Sequence, residues 1–305
     1  MVVGRFAPSP SGRMHLGNVF SALLAWLSAR SAGGELLLRI EDLDPDRCRP
    51  EYAVQLRDDL RWLGLSWDRE GPAQSTRGTA YAEAFRQLEA RGLVYPCYCT
   101  RAELHAASAP HASDGTPVYP GTCRGLTAAE RAAKTRAPAW RLRVPEERIG
   151  FRDGLQGLYE EDLARDCGDF IVRRSDGVYA YQLAVTVDDA AMGVTQVVRG
   201  RDLLSSTPRQ LWLQQLLGFP EPEYYHVPLL RSADGRRLSK RDRDLDLGVL
   251  RAQARPERLL GVLAAAAGIL PQAEDICAAE LVPLFSWEKI HREDMIFSES
   301  TLQNP

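Results

Sequence analysis

The sequence predicts an α/β protein built on a parallel sheet, interrupted by an inserted α+β segment and finished by helices. Three observations predict it. Short apolar runs alternate with amphipathic helical stretches up to Gly92, the texture changes at about Leu93 and reverts near Ser175, and beyond residue 245 the periodicity is helical.

In chain order, Pro8 to Asn18 is a Gly/Ser/Pro-rich turn before the apolar helical run Val19 to Leu27, so the free amides of the helix start would meet an anion there. Gly34 to Ile40 reads as a buried parallel strand that delivers Glu41, Asp42 and Asp44 to its carboxyl end. Tyr52, Leu56, Leu60 and Leu63 mark one face of a helix stopped by Gly64, and Tyr81, Phe85 and Leu88 mark another stopped by Gly92. The inserted segment holds cysteines, a Pro/Ser/Gly/Ala-rich stretch from Ala106 to Gly125, and an alternating strand, Trp140 to Val144, ended by Pro145. Asp169 to Arg173 and Val178 to Tyr181 flank Ser175-Asp176-Gly177, a hairpin signal. Strand Val194 to Arg199 and helix Pro208 to Leu217 restore the α/β pattern, and Leu250, Leu259, Leu260 and Leu263 are core positions of the last helices.

A chain of 305 residues is long enough for two or three domains. No apolar run approaches membrane-spanning length, and Val2-Val3 before Arg5 is too short for a secretory leader, so the expectation is a cytoplasmic protein with no membrane partner. A net charge of −3 does not announce a nucleic-acid binder, so any RNA contact is local; Arg231, Arg236, Arg237, Lys240, Arg241 and Arg243 form the basic cluster that suits phosphates. The same cluster also fits an ordinary solvated loop.

Two short stretches together read as a nucleotide-phosphate clamp: the turn through His15 and Gly17, and Arg237-Leu238-Ser239-Lys240-Arg241. Either alone occurs in many unrelated proteins; the ordered pair is specific. Cys97 and Cys99 lie two apart, so on an extended segment both sulfurs point the same way, and Cys123 can return to meet them. Three thiolates suggest one tetrahedral structural zinc, for which chemistry alone favours His105 or His111 as fourth ligand. Six cysteines so unevenly spaced are no disulfide framework.

The words of the clamp carry a resemblance. His15-Leu16-Gly17-Asn18 resembles the HIGH motif of class I aminoacyl-tRNA synthetases, and Arg237 to Arg241 resembles their KMSKS loop. Arg5-Phe6-Ala7-Pro8-Ser9, Leu38-Arg39-Ile40-Glu41-Asp42-Leu43-Asp44, Tyr179-Ala180-Tyr181-Gln182-Leu183-Ala184 and Val198-Arg199-Gly200-Arg201-Asp202-Leu203 narrow it to the glutamyl-tRNA synthetases, over nearly the whole catalytic region.

The resemblance implies a Rossmann-like catalytic domain over 1–92 and 175–244, an inserted zinc-bearing acceptor-binding subdomain over 93–174, and a helical stem-contact region over 245–305. It implies activation of L-glutamate with ATP and magnesium, then transfer to RNA. Pro8, Ser11, Gly12, His15, Gly17, Asn18, Ser239 and Lys240 would bind ATP, with His15, Gly17 and Lys240 stabilising charge that spreads over phosphate. Arg5, Phe6, Ala7, Pro8, Ser9, Glu41, Tyr181 and Arg199 would line the glutamate pocket: the two arginines are cations suited to the side-chain carboxylate, Glu41 meets the ammonium, and Tyr181 gives a hydroxyl and an aromatic wall. The spacing Tyr119-x-x-x-Cys123 implies Tyr119 as the fourth zinc ligand. Asp188 and Asp189 receive no role.

About sixty residues follow Lys240, where ordinary glutamyl-tRNA synthetases continue into a large anticodon-gripping region. The expectation is therefore a monomer like the family's shortened members, which esterify glutamate to queuosine at the first anticodon position of tRNA(Asp). The alternatives are the catalytic core of a conventional enzyme charging tRNA(Glu), and a non-catalytic RNA-binding module.

Overall fold

A computed structural model describes residues 1–100, 102–103, 118–232, 235 and 246–297. The central sheet has five strands in the order β10-β9-β1-β2-β3, all parallel: β1 Val3–Phe6, β2 Glu35–Leu38, β3 Arg69–Glu70, β9 Gln196–Gly200 and β10 Glu223–Val227. Helix α1 (Leu16–Ser31) joins β1 to β2, and α2 (Pro50–Trp62) joins β2 to β3. The chain then leaves through α3 (Gly78–Ala90) and re-enters at β9, on the far side of β1. Strand order therefore reverses between β1 and β9, where an open α/β sheet leaves a crevice at the carboxyl ends of its strands.

Pleating explains the layers. Leu36 and Leu38 of β2 and Val198 of β9 join the apolar cluster of α1, α2 and the C-terminal helices. Leu37 and Val197 point the other way, into a cluster with α3, α4 (Tyr181–Ala191) and α5 (Thr207–Leu217). By the same alternation Arg39 shares a face with Leu37, Arg199 with Val197, and His226 with Tyr224. The charged end of each of these strands thus lies on one side of the sheet. Helix α1 is buried almost all round; Leu23 and Leu27 have no exposed surface, so truncating either to alanine costs about 2–5 kcal/mol.

The inserted segment contains an antiparallel sheet of β4 (Val94–Cys97), β5 (Ala139–Leu142) and β8 (Phe170–Arg173), and a hairpin of β6 (Arg148–Asp153) with β7 (Gly157–Asp162). The polar turn Asp153 to Gly157 at the tip of that hairpin does not by itself mark the flanking strands. Two expectations need correction. After Ser175-Asp176-Gly177 there is a turn, with Arg174 N–H donating to Val178 O at 2.8 Å, but no second strand; only an isolated bridge joins Arg173 to Tyr179, and Tyr181 already begins α4. Tyr52, grouped with Leu56, Leu60 and Leu63 on one helix face, is 36% exposed, because α2 buries Leu56 and Leu60 and not its first turn. Helices α6 (Leu247–Gln253) and α7 (Pro256–Ala267) bury Leu250, Leu259, Leu260 and Leu263 against α1's side of the sheet. Among the described residues no helix is long and apolar enough to cross a membrane.

Candidate active site

The reversal point opens into a cleft of about 520 Å³. Arg5 to Ser9 follow β1 into it, Ser11 to Asn18 form its turn, Glu41 comes from the end of β2, Tyr181 from the start of α4, and Arg199 from β9; Pro228 to Leu230 close one side. All of the sequence-named pocket and turn residues within the described chain line this one space.

At the turn, His15 is the N-cap of α1. Its Nδ1 accepts the Gly17 N–H at 3.1 Å, and its own N–H donates to Asn18 Oδ1 at 3.2 Å, a reciprocal capping box. Asn18 N–H is taken by His15 O at 2.9 Å. The amides around Gly17, expected to face an anion, thus have partners within the turn. Accepting at Nδ1 fixes the proton of the neutral imidazole on Nε2. Gly17 is needed for contact: a Cβ there would lie 3.1 Å from the imidazole and push it away.

Lys240 and Ser239, with Arg237 and Arg241, lie outside the described residues. The chain on either side of them flanks the turn. Pro228 to Leu230 line the cleft, Leu247 N–H donates to Met14 O at 3.0 Å, and Asp246 bridges to His15. Buried Asp59 of α2 pins both sides, accepting from Arg13 at 3.2 Å and from Arg251 of α6 at 2.6 Å.

At the other end of the cleft Arg5 and Arg199, each 5% exposed, share the wall with Glu41, which is 8% exposed. Arg39, with no exposed surface, donates to Glu41 Oε1 at 2.9 Å and to Asp189 Oδ1 at 2.6 Å, while Arg5 Nε lies 3.6 Å from Asp189 Oδ2. Behind them Asp188 accepts from Gln74 at 2.9 Å and from Arg77 and Tyr81 at 2.7 Å each. Burial pushes the Glu41 carboxyl above the usual carboxylate range, although Arg39 and Arg5 oppose it. For Asp189 burial acts in the same direction, but Arg39 and Arg5 outweigh it and hold the carboxyl low. Burial also raises the Tyr181 hydroxyl. Arg39 and Asp189 were missed by motif reading, yet an arginine after Leu36-Leu37-Leu38 in a buried strand signals a buried counter-charge.

A second chamber of about 340 Å³ adjoins the first and shares Ser9, Ser11, Glu41 and Tyr181 with it. Asp44, Arg47, Gln74, Arg174 and Tyr179 form the rest of its polar wall.

Within the inserted segment Cys97, Cys99 and Cys123 converge, their sulfurs all within 4.8 Å of one another. Cys99 and Cys123 sulfurs are 3.7 Å apart, and Cys97 Sγ is 3.6 Å from the Tyr119 hydroxyl, which also accepts the Cys123 N–H at 2.7 Å. Four ligands about 2.3 Å from a tetrahedral zinc stand about 3.8 Å apart, so this donor set fits that ion. Gly168, at φ +68°, lets the Tyr119 backbone pass closer than any Cβ would allow. Arg141 stacks on the Tyr119 ring, 3.7 Å from its centroid, and donates to Cys97 Sγ at 3.3 Å. His105 and His111, the alternative fourth ligands, lie outside the described residues.

A profile of the family "tRNA synthetases class I (E and Q), catalytic domain" matches residues 1–302. The crystal structure of a glutamate tRNA ligase from Elizabethkingia meningosepticum in complex with its amino acid superposes with a TM-score of 0.83 at 26% identity, covering 99% of this chain and 68% of that one. The fold is that of a class I tRNA synthetase catalytic domain. A protein of Nitratidesulfovibrio vulgaris named glutamyl-Q tRNA(Asp) synthetase is 53% identical over 300 residues, covering 94% of this chain and 92% of its own. One of the same name from Symbiobacterium thermophilum is 49% identical over 318 residues, covering 99% and 98%. The chain belongs to the glutamyl-Q tRNA(Asp) synthetase family of class I synthetases.

Proposed function

We propose that the protein activates L-glutamate with ATP and transfers it to the queuosine of tRNA(Asp). The observation that carries the first half is a single cleft in which two buried arginines face one buried carboxylate beside a histidine-capped helix start. Arg5 and Arg199 match the side-chain carboxylate of glutamate, and Glu41 matches its ammonium; a bound ammonium also offsets the burial that disfavours the Glu41 anion. Phe6, Ala7, Pro8, Ser9 and Tyr181 shape the wall.

The α-carboxylate attacks the α-phosphorus of ATP and pyrophosphate leaves. Pro8, Ser11, Gly12, His15, Gly17 and Asn18 on one side, with Ser239 and Lys240 from the other, bind and stabilise the phosphates; magnesium comes with the ATP, held mainly through its phosphates. The second chamber admits the RNA hydroxyl to the adenylate carbonyl, with Arg47 and Arg174 suited to backbone phosphates and Tyr179 to a base. The RNA identity is supported by relatives of matching length that carry the name.

Cys97, Cys99, Cys123 and Tyr119 would hold the zinc, which would tie the end of β4 to the return at Cys123. With four protein ligands it would supply cross-linking and no catalytic water.

The test follows radioactive glutamate into RNA. Queuosine-containing tRNA(Asp) should be labelled in an ATP-dependent manner and the queuosine-free transcript should not; Lys240→Ala should abolish labelling. Label at the 3′ end of tRNA(Glu) would instead establish a conventional charging enzyme, and an inert wild type a non-catalytic module.

A further inference from the structure

Arg199 is held by residues that do not line the cleft. The tip of the β6–β7 hairpin sits on the edge strand β10, where Gly154 N–H donates to Tyr224 O at 2.8 Å and Gln156 donates to His226 O at 2.8 Å. This delivers Asp153, 2% exposed, to His226, which has no exposed surface. Asp153 Oδ2 lies 2.6 Å from His226 Nδ1, and its Oδ1 also accepts the N–H groups of Leu155 at 2.9 Å and Gln156 at 2.8 Å. A carboxylate can only accept, so Nδ1 carries the proton and Nε2 is an acceptor. That acceptor faces Arg199 Nε at 3.0 Å. Thr207 closes the ring: its hydroxyl oxygen accepts from Arg199 Nη2 at 2.7 Å and lies 3.2 Å from His226 Nε2, to which its proton is donated.

Two bonds from adjacent nitrogens fix the plane of a guanidinium. The nitrogen left over, Nη1, is turned to the cleft, 3.5 Å from the Tyr181 hydroxyl. We propose that Asp153 and His226 are positioning residues that set the orientation of Arg199 and so the selectivity of the pocket for a carboxylate. The segment inserted between α3 and α4 thereby takes part in amino-acid recognition without touching the amino acid. The inference rests on the reading that glutamate fills the cleft.

Two amide substitutions separate the halves of the ring. His226→Gln can place an oxygen near the site of Nε2 and keep the Arg199 acceptor; His226→Asn reaches only the Asp153 side. The expected result is a glutamate KM within about threefold of wild type for His226→Gln and raised about tenfold or more for His226→Asn, with ATP KM and kcat within about twofold in both. Thr207→Val, which leaves His226 bonded to Asp153 and to Arg199 Nε and removes only the hydroxyl's own bonds to Arg199 Nη2 and His226 Nε2, should raise the glutamate KM in the same direction by less. Equal shifts in the two amide variants, or parallel loss in every kinetic constant, would mean that His226 merely holds the sheet together and would overturn the proposal. Solvent exchange of the Arg199 Nε proton, read by NMR without glutamate, is expected to be slow in wild type and His226→Gln and fast in His226→Asn; unchanged exchange overturns the positioning role. An inert wild type with this exchange pattern would sink the glutamate reading and leave the orienting ring standing.

Discussion

The amino-acid end of the cleft and the cysteine cluster are both packed with ionisable groups, but they balance charge in opposite ways. Around Arg39, cations and carboxylates alternate: Arg5 beside Asp189, Arg39 between Asp189 and Glu41, Arg77 on Asp188. Each of these charges has an opposite within the protein, whereas Arg199 is held by the neutral groups of His226, Thr207 and Tyr181 and keeps its charge for a ligand. In the cysteine cluster three thiols face one another, and the donors aimed at them are few: Arg141 to Cys97 at 3.3 Å and the Tyr98 N–H to Cys123 at 3.4 Å. The Cys97 thiol is held below its ordinary value despite burial, by Tyr119 and Arg141 among others, whereas burial and the neighbouring thiols push Cys99 up to about 12. The protein favours one thiolate, and a second would be favoured by a cation such as the proposed zinc. The network around Arg39 is thus balanced by its own residues, and the cysteine cluster would be balanced by the proposed zinc.

The largest expected effect breaks the balanced side. Arg39→Met removes the central cation and leaves Glu41 and Asp189 buried with fewer partners, a change that costs about 3–5 kcal/mol. A urea midpoint shift equivalent to less than about 1 kcal/mol would show that the network does not depend on it. Next, Arg199→Met deletes a charged donor that faces the ligand, and the glutamate KM should rise about a hundredfold while ATP KM holds. An equal rise in both would place Arg199 outside amino-acid recognition.

Acid sharpens the comparison. Burial, helped by the Arg199 charge and opposed by Asp153, lowers His226 to about 4 from 6.5. The unfolded chain takes up this proton below pH 6.5, and the folded chain refuses it until about pH 4. The unfolded state therefore binds more protons in that window, and stability falls as pH drops through it, by on the order of 3 kcal/mol when complete. Denaturant melts from pH 7 to 4 should show the slope in wild type, and His226→Gln should flatten it.

Much of this was legible in the sequence. The turn at His15 and Gly17, the strand before Glu41, Arg199 after its apolar run, and the three converging cysteines are local words whose spacing fixes their geometry. What escaped shares one cause: the partner is remote in sequence. Arg39 meets Asp189 across 150 positions, and His226 meets Asp153 across 73. Asp188 and Asp189 stood out as an acidic pair, but nothing local tells that one answers Tyr81 and the other Arg39. The charges at the ends of β2 and β9 can still be anticipated in part, because strand alternation puts Arg39 and Arg199 on one face of the sheet. The hairpin that delivers Asp153 to that face could not be anticipated, since Asp153-Gly154-Leu155-Gln156-Gly157 reads as any polar turn.

The smallest expected effect is the one that separates the two regions. Cys97, Tyr119 and Cys123 form their own small cluster with Tyr98, Cys99 and Leu126 and share no member with the apolar clusters that flank the sheet. Asp153 reaches the pocket through β6 and β7, which pair with each other and not with β4. If zinc fills the cluster, stripping it from the zinc-loaded protein with a chelator should therefore open the backbone at residues 97–100 and 118–126 to hydrogen exchange and weaken RNA transfer, while the glutamate KM for adenylate formation changes by less than about twofold. A tenfold rise in that KM on metal removal would mean that the antiparallel sheet transmits strain from Cys97 through Arg141 and Asp169 to the hairpin, and that the two modes of charge balance are coupled.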